Sequence, residues 1–368
     1  MILIGYIILF AYVSIIGAAC LGFIKGIKHQ HVKAGSDFSI VIAFRNEEER
    51  IDDLLLSLEK SDLEQVNLDE VIFVNDHSLD RTVEKIKRWS NHNKFKVRIA
   101  HLNHDVGKKK AIDLGIKQVL STYVLILDAD VQFDAKFLFK MSQTLDAKRS
   151  LIILPVIEKN GIIFSRIASH ALTVLSVGLA SLGFPINVNG AALVFKREEY
   201  IRLEPLKNNF KISSGDDMFI LKAFLKSKES VIKPFVSKGI HVLTDGPKNI
   251  SEFISRGVRW SSKMNLIKLP LINLIGIFIL LCNLYVFYFI FFNNPLGAAS
   301  LLWISIKFVS DLMTLYFSFY LYDKRAITIF AIPMFLIYPL YLLTVLILNL
   351  LRVKMNWKDR PVLTPKSI

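Results

Sequence analysis

The residues best suited to chemistry in this chain are Asp128-Ala129-Asp130, which close the apolar run Tyr123-Val124-Leu125-Ile126-Leu127. A buried strand that delivers two carboxylates to its carboxyl tip can hold a divalent cation against a diphosphate. Residues i and i+2 of an extended chain point the same way, so the two carboxylates are expected to converge on one ligand. A strand-end turn rich in Asp has the same composition. Other polar groups accompany the motif. Asp76 follows a second apolar run, Val71 to Val74, and Gly215-Asp216-Asp217 precedes a helical pattern beginning at Met218. Arg256-Gly257-Val258-Arg259-Trp260 comes late in the charged part of the chain. His241 is either a further metal ligand or a satisfied surface histidine.

The elements that must position these groups are legible as alternating patterns. Phe38 to Phe44 reads as a buried strand. Asn46 then reads as a helix N-cap, with Glu47, Glu48 and Glu49 in the first turn and Ile51, Leu54, Leu55 and Leu58 at helical spacing. A strand from Glu70 to Val74, a helix from about Thr82, a strand from Phe95 to Ile99 and a helix from Lys108 precede the Asp128 strand. This rhythm predicts an α/β fold with a parallel sheet wound by right-handed crossovers. Ligands of such sheets bind beyond the carboxyl ends of the strands. Those ends carry Arg45 and Asn46, Asn75 and Asp76, and Asp128 and Asp130. After about Leu151 come a strand to Val156, an amphipathic helix near Ile163 to Leu179, and a turn feeding a strand over Pro185 to Phe195.

Hydrophobic residues make up 52% of the 368 positions and the mean hydropathy is +0.42, too apolar for an ordinary cytosolic enzyme. Ile2 to Ile24 is uncharged and long enough to span a bilayer. Its long core, with neither a basic n-region nor a small-residue cleavage site, argues against a secretory signal. Further apolar stretches run from Leu269 to Phe292, Leu296 to Tyr320 and Ala326 to Leu351. The expected layout is an N-terminal transmembrane helix (1–24), a charged domain (25–268), about three apolar segments (269–351) and a basic tail (352–368). At about 240 residues the charged segment is ample for one α/β domain.

The net charge is +14, with Lys25, Lys28 and Lys33 after the first span and Lys263 and Lys268 before the second. This places the charged domain in the cytoplasm by the positive-inside rule. Basic residues beside spans meet anionic lipid headgroups, and no basic stripe interleaved with aromatics suggests nucleic acid. Cys20 and Cys282 lie in apolar spans and offer neither a disulfide framework nor a metal site. Asp323-Lys324-Arg325 and the tail from Arg352 both look cytoplasmic, which conflicts with one simple span between them. Pro333 and Pro339 would resolve this by breaking the stretch into a re-entrant pair; the alternative is an interfacial segment. Lys307 and Asp311, spaced i, i+4 in an apolar span, must pair or face a cavity.

Taken in order, Asp76, Asp128-Ala129-Asp130, Asp216-Asp217 and Arg259-Trp260 resemble the membrane-bound family 2 glycosyltransferases of the GT-A fold. VIAFRNEEER is similar to that family's first nucleotide-binding strand and loop, VNDHSLDRT to its second, and GKKKAIDLG to its lysine-bearing helix start. SGDD stands where the family has an acidic pair, usually Glu-Asp, and RGVRW where many members carry Gln-x-x-Arg-Trp. Asp216 replaces the more frequent Glu and Arg256 replaces that Gln; the departure at Arg256 leaves processivity open and leans toward addition of a single sugar.

The resemblance implies a GT-A (Rossmann-like, nucleotide-binding) domain with transmembrane helices at both ends, at the cytoplasmic face of the cell membrane. It implies an inverting transfer from a nucleotide-sugar donor, UDP-linked in this family, to a lipid-linked or glycan acceptor. Ala43, Glu47, Asp76, Lys108, Asp128 and Asp130 fall on the nucleotide-sugar side, with Asp76 toward the nucleobase and Lys108 toward the diphosphate. Asp76 also suits an Asx-turn and Glu47 a helix-dipole contact; Lys109 and Lys110 are expected to be solvated. Asp130, with Asp128, would hold Mn²⁺ or Mg²⁺. Asp217 is the candidate general base, Asp216 orienting or capping. Arg256, Arg259 and Trp260 belong to the acceptor or diphosphate side, or anchor an interfacial helix. Three rival functions remain: a processive polysaccharide synthase, a nucleotidyltransferase and a non-enzymatic membrane scaffold. The first shares the chemistry, and the second normally needs the glycine-rich loop that Phe44-Arg45-Asn46-Glu47-Glu48 lacks.

Overall fold

The computed structural model describes residues 1–28, 35–210, 215–267, 269–294, 297–322, 329–351, 356–357 and 360–361. In chain order they form α1 (Ile2–Lys28), β1 (Phe38–Phe44), α2 (Ile51–Glu59), β2 (Leu68–Asn75), α3 (Thr82–Ser90), β3 (Val97–His101) and α4 (Lys108–Gln118). There follow β4 (Tyr123–Asp128), β5 (Gln132–Phe133), α5 (Phe137–Ser142), β6 (Leu151–Ile153), β7 (Val156–Glu158), α6 (Ile163–Ser181), β8 (Ala192–Lys196) and α7 (Arg197–Leu203). The last elements are α8 (Asp216–Lys226), β9 (Ile232–Pro234), β10 (Val242–Thr244), α9 (Ile250–Ile267), α10 (Pro270–Phe287, continued by a π-turn), α11 (Ala298–Ser318) and α12 (Ala331–Leu350). Expectations for Lys33, Ser213-Ser214, Lys268, Asp323-Lys324-Arg325 and most of the tail after Leu351 concern positions outside the described residues.

The chain divides into two compact units. One comprises Gly26–Ile157 and Asn187–Asp245; the other comprises Met1–Lys25, Glu158–Ile186 and Gly246–Pro361.

The first unit is built on a seven-stranded sheet in the order β3-β2-β1-β4-β8-β6-β9. Strands β1 to β4 are mutually parallel, as the strand–helix rhythm predicts, and β8 runs antiparallel to β4 and β6. All seven residues of β1 are buried, as a central parallel strand covered on both faces requires. Phe38, Ile40 and Ile42 share one core with Ile51, Leu54 and Leu58 of α2 and Ile86 of α3. Each such side chain contributes about 1.5–3 kcal/mol by leaving water. On the other face α4 lies close because residue 115 is Gly: a Cβ there would stand 2.5 Å from Val41 Cγ1 and 3.0 Å from Val74 Cγ2. Since β2 and β4 flank β1, the chain reverses its winding between β1 and β4, the switch point at which such sheets open a crevice.

Helix α2 starts later than expected. Asn46 is not its N-cap, because Glu47 to Arg50 form a turn and α2 begins at Ile51. Asn46 takes a left-handed φ of 50° and locks two loops together. Its Oδ1 accepts the Leu79 amide at 2.9 Å, and its own amide donates to Ser78 Oγ at 3.1 Å. Glu47 and Glu48 extend this lock, donating their amides to Thr82 Oγ1 and Asp80 Oδ2, both at 2.9 Å.

The second unit gathers long apolar helices. Among the described residues, five helices are long and apolar enough to cross a membrane: Ile2–Ile27, Ile163–Ser181, Pro270–Phe292, Ala298–Ser318 and Ala331–Leu350. The helix over Ile163–Ser181 was expected within the charged domain, but it packs among the apolar helices. Ile167 of α6 clusters with Leu315 of α11 and Ala331 and Met334 of α12. Glycines let α6 meet α1 at backbone distance: a Cβ on Gly178 would lie 2.0 Å from the Ala19 carbonyl oxygen, and one on Gly22 would lie 2.0 Å from that of Gly178. Small residues at a helix crossing allow this approach.

The break at Pro333 and Pro339, one of two ways to reconcile the charges around the last apolar stretch, is not found among the described residues. Helix α12 runs unbroken through Pro339, and Pro333 sits in its first turn, where the missing N–H has no intrahelical role. Lys307 is 2% exposed and its charge is answered from several helices. Its Nζ lies 2.6 Å from Asp311 Oδ2, donates to Asn283 Oδ1 at 3.0 Å and sits 4.6 Å from the Phe335 ring centre. Tyr12 in turn donates its hydroxyl to Asp311 Oδ1 at 2.5 Å. The i, i+4 pair therefore fastens α1, α10, α11 and α12.

Candidate active site

The site is assembled in the sheet unit, at the carboxyl ends of β1, β2 and β4. Ala43 lies in register between Val74 and Asp128, so it marks the floor of the switch point. From the end of β2, Asp76 donates its amide to the Phe44 carbonyl, while its Oδ1 accepts the Gly107 amide at 2.9 Å. Gly107 has φ 114°, which a side chain would strain, and its turn aims the start of α4 at the carboxylates.

Lys108, the first residue of α4, is the centre of the arrangement. Its Nζ stands 2.6 Å from Asp128 Oδ1 and 3.4 Å from Asp216 Oδ2. Burial alone would lower the ammonium's pKa, but the charges of Asp128 and Asp216 outweigh it and raise the value well above the ordinary one. Asp128 is raised in turn, chiefly by burial; Lys108 opposes the rise and the neighbouring charge of Asp130 adds to it.

Asp130 departs from the extended-strand expectation. It lies in the turn after β4, so the i, i+2 rule does not align it with Asp128. A different cation meets it: Arg50 Nη1 is 3.4 Å from Asp130 Oδ2, and Arg50 Nη2 is 2.6 Å from Glu47 Oε2. Glu47, buried beside that guanidinium, thus belongs to the site's rim rather than to the first turn of a helix.

Asp216 and Asp217 open α8 behind Gly215, whose φ of 87° sets the entry turn. The Gly190 amide donates to Asp217 Oδ2 at 3.2 Å, and the Met218 amide donates to Oδ1 at 2.7 Å. Gly190 fits because its α-carbon faces the acidic pair: a Cβ there would come within 3.3 Å of Asp216 Oδ2. The next residue, Ala191, accepts the Asp128 amide at 3.0 Å, so the loop before β8 joins both acidic motifs.

Arg50 and Gly190 were missed in the sequence. The only signal for Gly190 was the Asn189-Gly190 turn dipeptide, and an arginine in an acidic loop carried none. Lys109, expected to be solvated, is buried at 4% exposure. His241 is also buried rather than superficial. It lines a groove of about 420 Å³ with Ser57, Lys60, Gln132 and Phe133.

Arg256, Arg259 and Trp260 lie on α9, in the unit of apolar helices. Arg256 Nη1 pairs with Glu158 Oε1 at 2.5 Å, and its guanidinium is 5.8 Å from the Trp260 ring centre. Ser165 donates to the other Glu158 oxygen at 2.7 Å. Burial raises the Glu158 pKa, with Arg256 opposing. Trp260 is exposed and Arg259 half-buried.

The donor set was tested against a divalent cation. Among the described residues no three His, Cys, Asp or Glu side chains converge on a point. Two carboxylates do stand together at the switch point, Asp128 and Asp130, each answered by a basic side chain. Hard cations that accompany phosphates use one or two carboxylates and take their remaining oxygens from the nucleotide and water. The residues fit such an ion in company with a diphosphate.

Comparison with known proteins bears on the family and the fold. The profile described as Glycosyl transferase family 2 matches residues 39–201. Over 195 residues, 52% of this chain, the sequence is 27% identical to the poly(ribitol-phosphate) beta-N-acetylglucosaminyltransferase TarS of Staphylococcus aureus. Over 110 residues, 29% of this chain, it is 36% identical to the poly-beta-1,6-N-acetyl-D-glucosamine synthase of Staphylococcus epidermidis. The matched stretches span 33% and 24% of those relatives' own lengths. In fold, the chain is similar to the mannosyltransferase PcManGT from Pyrobaculum calidifontis, solved in complex with GDP-Man and Mn²⁺. The TM-score is 0.51 at 15% identity, covering 93% of this chain and 98% of that one. The matched profile identifies residues 39–201, less than half of the chain, as a glycosyl transferase family 2 domain, and the sheet that holds them has a GT-A-like α/β core.

Proposed function

We propose that the protein moves a sugar from a nucleotide-sugar donor to a membrane-associated lipid or glycan acceptor, with inversion at the anomeric carbon. The observation that carries this reading is the position of Lys108 between Asp128 and Asp216, beside an Asp217 whose oxygens are aimed by two backbone amides. Binding and proton-removing groups are thus brought together from three separate loops.

In this reading Asp76 accepts a hydrogen bond from the nucleobase, and Lys108 meets the diphosphate, a charge-assisted contact in a half-buried setting. An acceptor hydroxyl attacks the anomeric carbon opposite the diphosphate. The new carbon–oxygen bond forms as the bond to the phosphate oxygen breaks, and Asp217 takes the hydroxyl proton. The nucleoside diphosphate leaves with the electron pair, its charge answered by Lys108 and Arg50. A Mn²⁺ or Mg²⁺ ion held by Asp130 and Asp128 would add Lewis-acid stabilisation of that leaving group.

UDP-N-acetylglucosamine is the first donor to try, because two relatives are named as N-acetylglucosamine enzymes. The apolar helices and the basic residues beside them support a cell-membrane location with the sheet unit on the cytoplasmic side. The match to a poly-N-acetylglucosamine synthase favours one second reading, repeated addition to the same chain.

The test is to incubate purified protein with radiolabelled nucleotide sugars, membrane lipid extract and Mn²⁺, then separate the products by chromatography. Label is expected in a lipid-linked or glycan product, and Asp217→Asn should slow its formation by about 10²–10⁴-fold. One sugar per product supports single addition, and a ladder supports processive synthesis. Full transfer by both Asp130→Ala and Asp217→Ala would remove the site assignment.

A further inference from the structure

Three consecutive lysines open α4, where the helix dipole disfavours positive charge. Each engages a different part of the segment that carries Asp216 and Asp217. Lys108 reaches Asp216 itself, at 3.4 Å. Lys110 sits 4.5 Å from the Phe210 ring centre and pairs with Asp105 at 2.9 Å. Lys109 is the buried one, 4% exposed. Its Nζ donates to the Asn209 carbonyl at 3.0 Å and lies 4.4 Å from the centre of the Phe219 ring.

Asn209 precedes the acidic pair in the chain and Phe219 follows it. One ammonium therefore grips the segment on both sides of Asp216-Asp217. Phe219 is itself buried and donates its amide to the Gly215 carbonyl, closing the first turn of α8. Burying a lysine costs several kcal/mol unless strong contacts offset it. A carbonyl acceptor and a desolvated aromatic face are such contacts, and their direction fixes where the first turn of α8 stands relative to α4.

We propose that Lys109 is a positioning residue for transfer: it holds Asp217 at the distance from the Lys108 site that proton removal from the acceptor requires. This rests on the reading of Asp217 as the base. Lys109 touches neither donor nor acceptor in this scheme. Its loss should spare donor binding, which depends on Asp76, Lys108 and Asp128, and should reduce turnover, because a displacement of about 1 Å at a reacting group costs up to about 10²-fold.

The experiment compares Lys109→Met, which keeps the apolar stem, with Lys109→Arg, which restores the charge. UDP binding in the presence of Mn²⁺ is measured by calorimetry, and kcat and donor KM by transfer of labelled sugar. Lys109→Met should lower kcat at least about tenfold with the UDP dissociation constant and donor KM within about twofold of wild type. Lys109→Arg should recover most of the loss. Unchanged kcat in Lys109→Met, or equal losses of UDP binding and turnover, would overturn the positioning role. Asp217→Asn serves as the control. If it is fully active, the base assignment fails; if it is inactive while Lys109→Met is normal, only the present inference fails.

Discussion

The ammonium of Lys108 lies 2.6 Å from Asp128 Oδ1, so the first carboxylate of the Asp128-Ala129-Asp130 motif carries a protein cation of its own. The second, Asp130, has Arg50 at 3.4 Å. Both carboxylates are thus partly neutralised by side chains that can turn to a diphosphate, which lets the site keep its acids close together in a half-buried place.

Asp128 has a pH signature. Burial raises its pKa above the ordinary 3.8, Lys108 opposes the rise and Asp130 adds to it. The folded state therefore holds this proton more tightly than the unfolded chain. Its contribution to stability is present below pH 3.8 and is lost as pH rises through the raised folded value. Asp128→Asn, a neutral isostere, removes this pH-dependent loss, so its stability relative to wild type should rise as pH goes from about 4 to about 7, set against a roughly constant cost of taking the nearest counter-charge from Lys108. Thermal melts of both proteins over this range would show it. A pH-independent difference would contradict the assignment.

Asp76 separates fold from recognition. Its Oδ1 is held by the Gly107 amide, and an asparagine oxygen can keep that bond. In the reading given above Asp76 also accepts a hydrogen bond from a nucleobase imide, and an asparagine whose oxygen stays on the Gly107 amide would present a donor to that donor. Asp76→Asn should melt within about 0.5 kcal/mol of wild type yet bind UDP at least about tenfold more weakly. Equal UDP affinity by calorimetry would place the base elsewhere.

The crossing of α1 and α6 offers a contrast within one helix. A Cβ on Gly22 would strike the Gly178 carbonyl at 2.0 Å, whereas one on Gly17 meets nothing within 4 Å. Gly22→Ala should destabilise by about 1–3 kcal/mol through overpacking, and Gly17→Ala should be neutral or stabilising by up to about 1 kcal/mol through helix propensity. Unfolding in detergent would rank them, and equal effects would remove the close crossing.

In the Lys307–Asp311 pair, with Asn283 and Tyr12 around it, the lysine is buried, the aspartate is half-buried, and both are bonded on several sides. Lys307→Ala leaves the aspartate without its countercharge and should cost about 3–5 kcal/mol. Replacing both with leucine should cost much less, since no unpaired charge remains. A double-mutant cycle measures the coupling, and additive losses would count against a mutual role.

The sheet strands, the helix starts at Thr82 and Lys108 and the acidic strand ends were legible because local pattern determines them. Apolar runs of strand length, helical spacing and turn residues act between near neighbours in the chain. The partners of the acids were not legible. Arg50 on Asp130, Lys108 on both Asp128 and Asp216, and Gly190 on Asp217 each join residues that are distant in sequence. Only the packing of loops around the β1–β4 switch point brings them within hydrogen-bond reach. For the same reason Lys109 looked like a solvated helix-start charge until Phe219 and Asn209 were seen to enclose it. Likewise, α6 looked like one amphipathic helix of the charged domain, since a hydrophobic stripe does not say which surface it will cover. The glycines at 22 and 178 settled that, by allowing two backbones to meet where side chains would have held them apart.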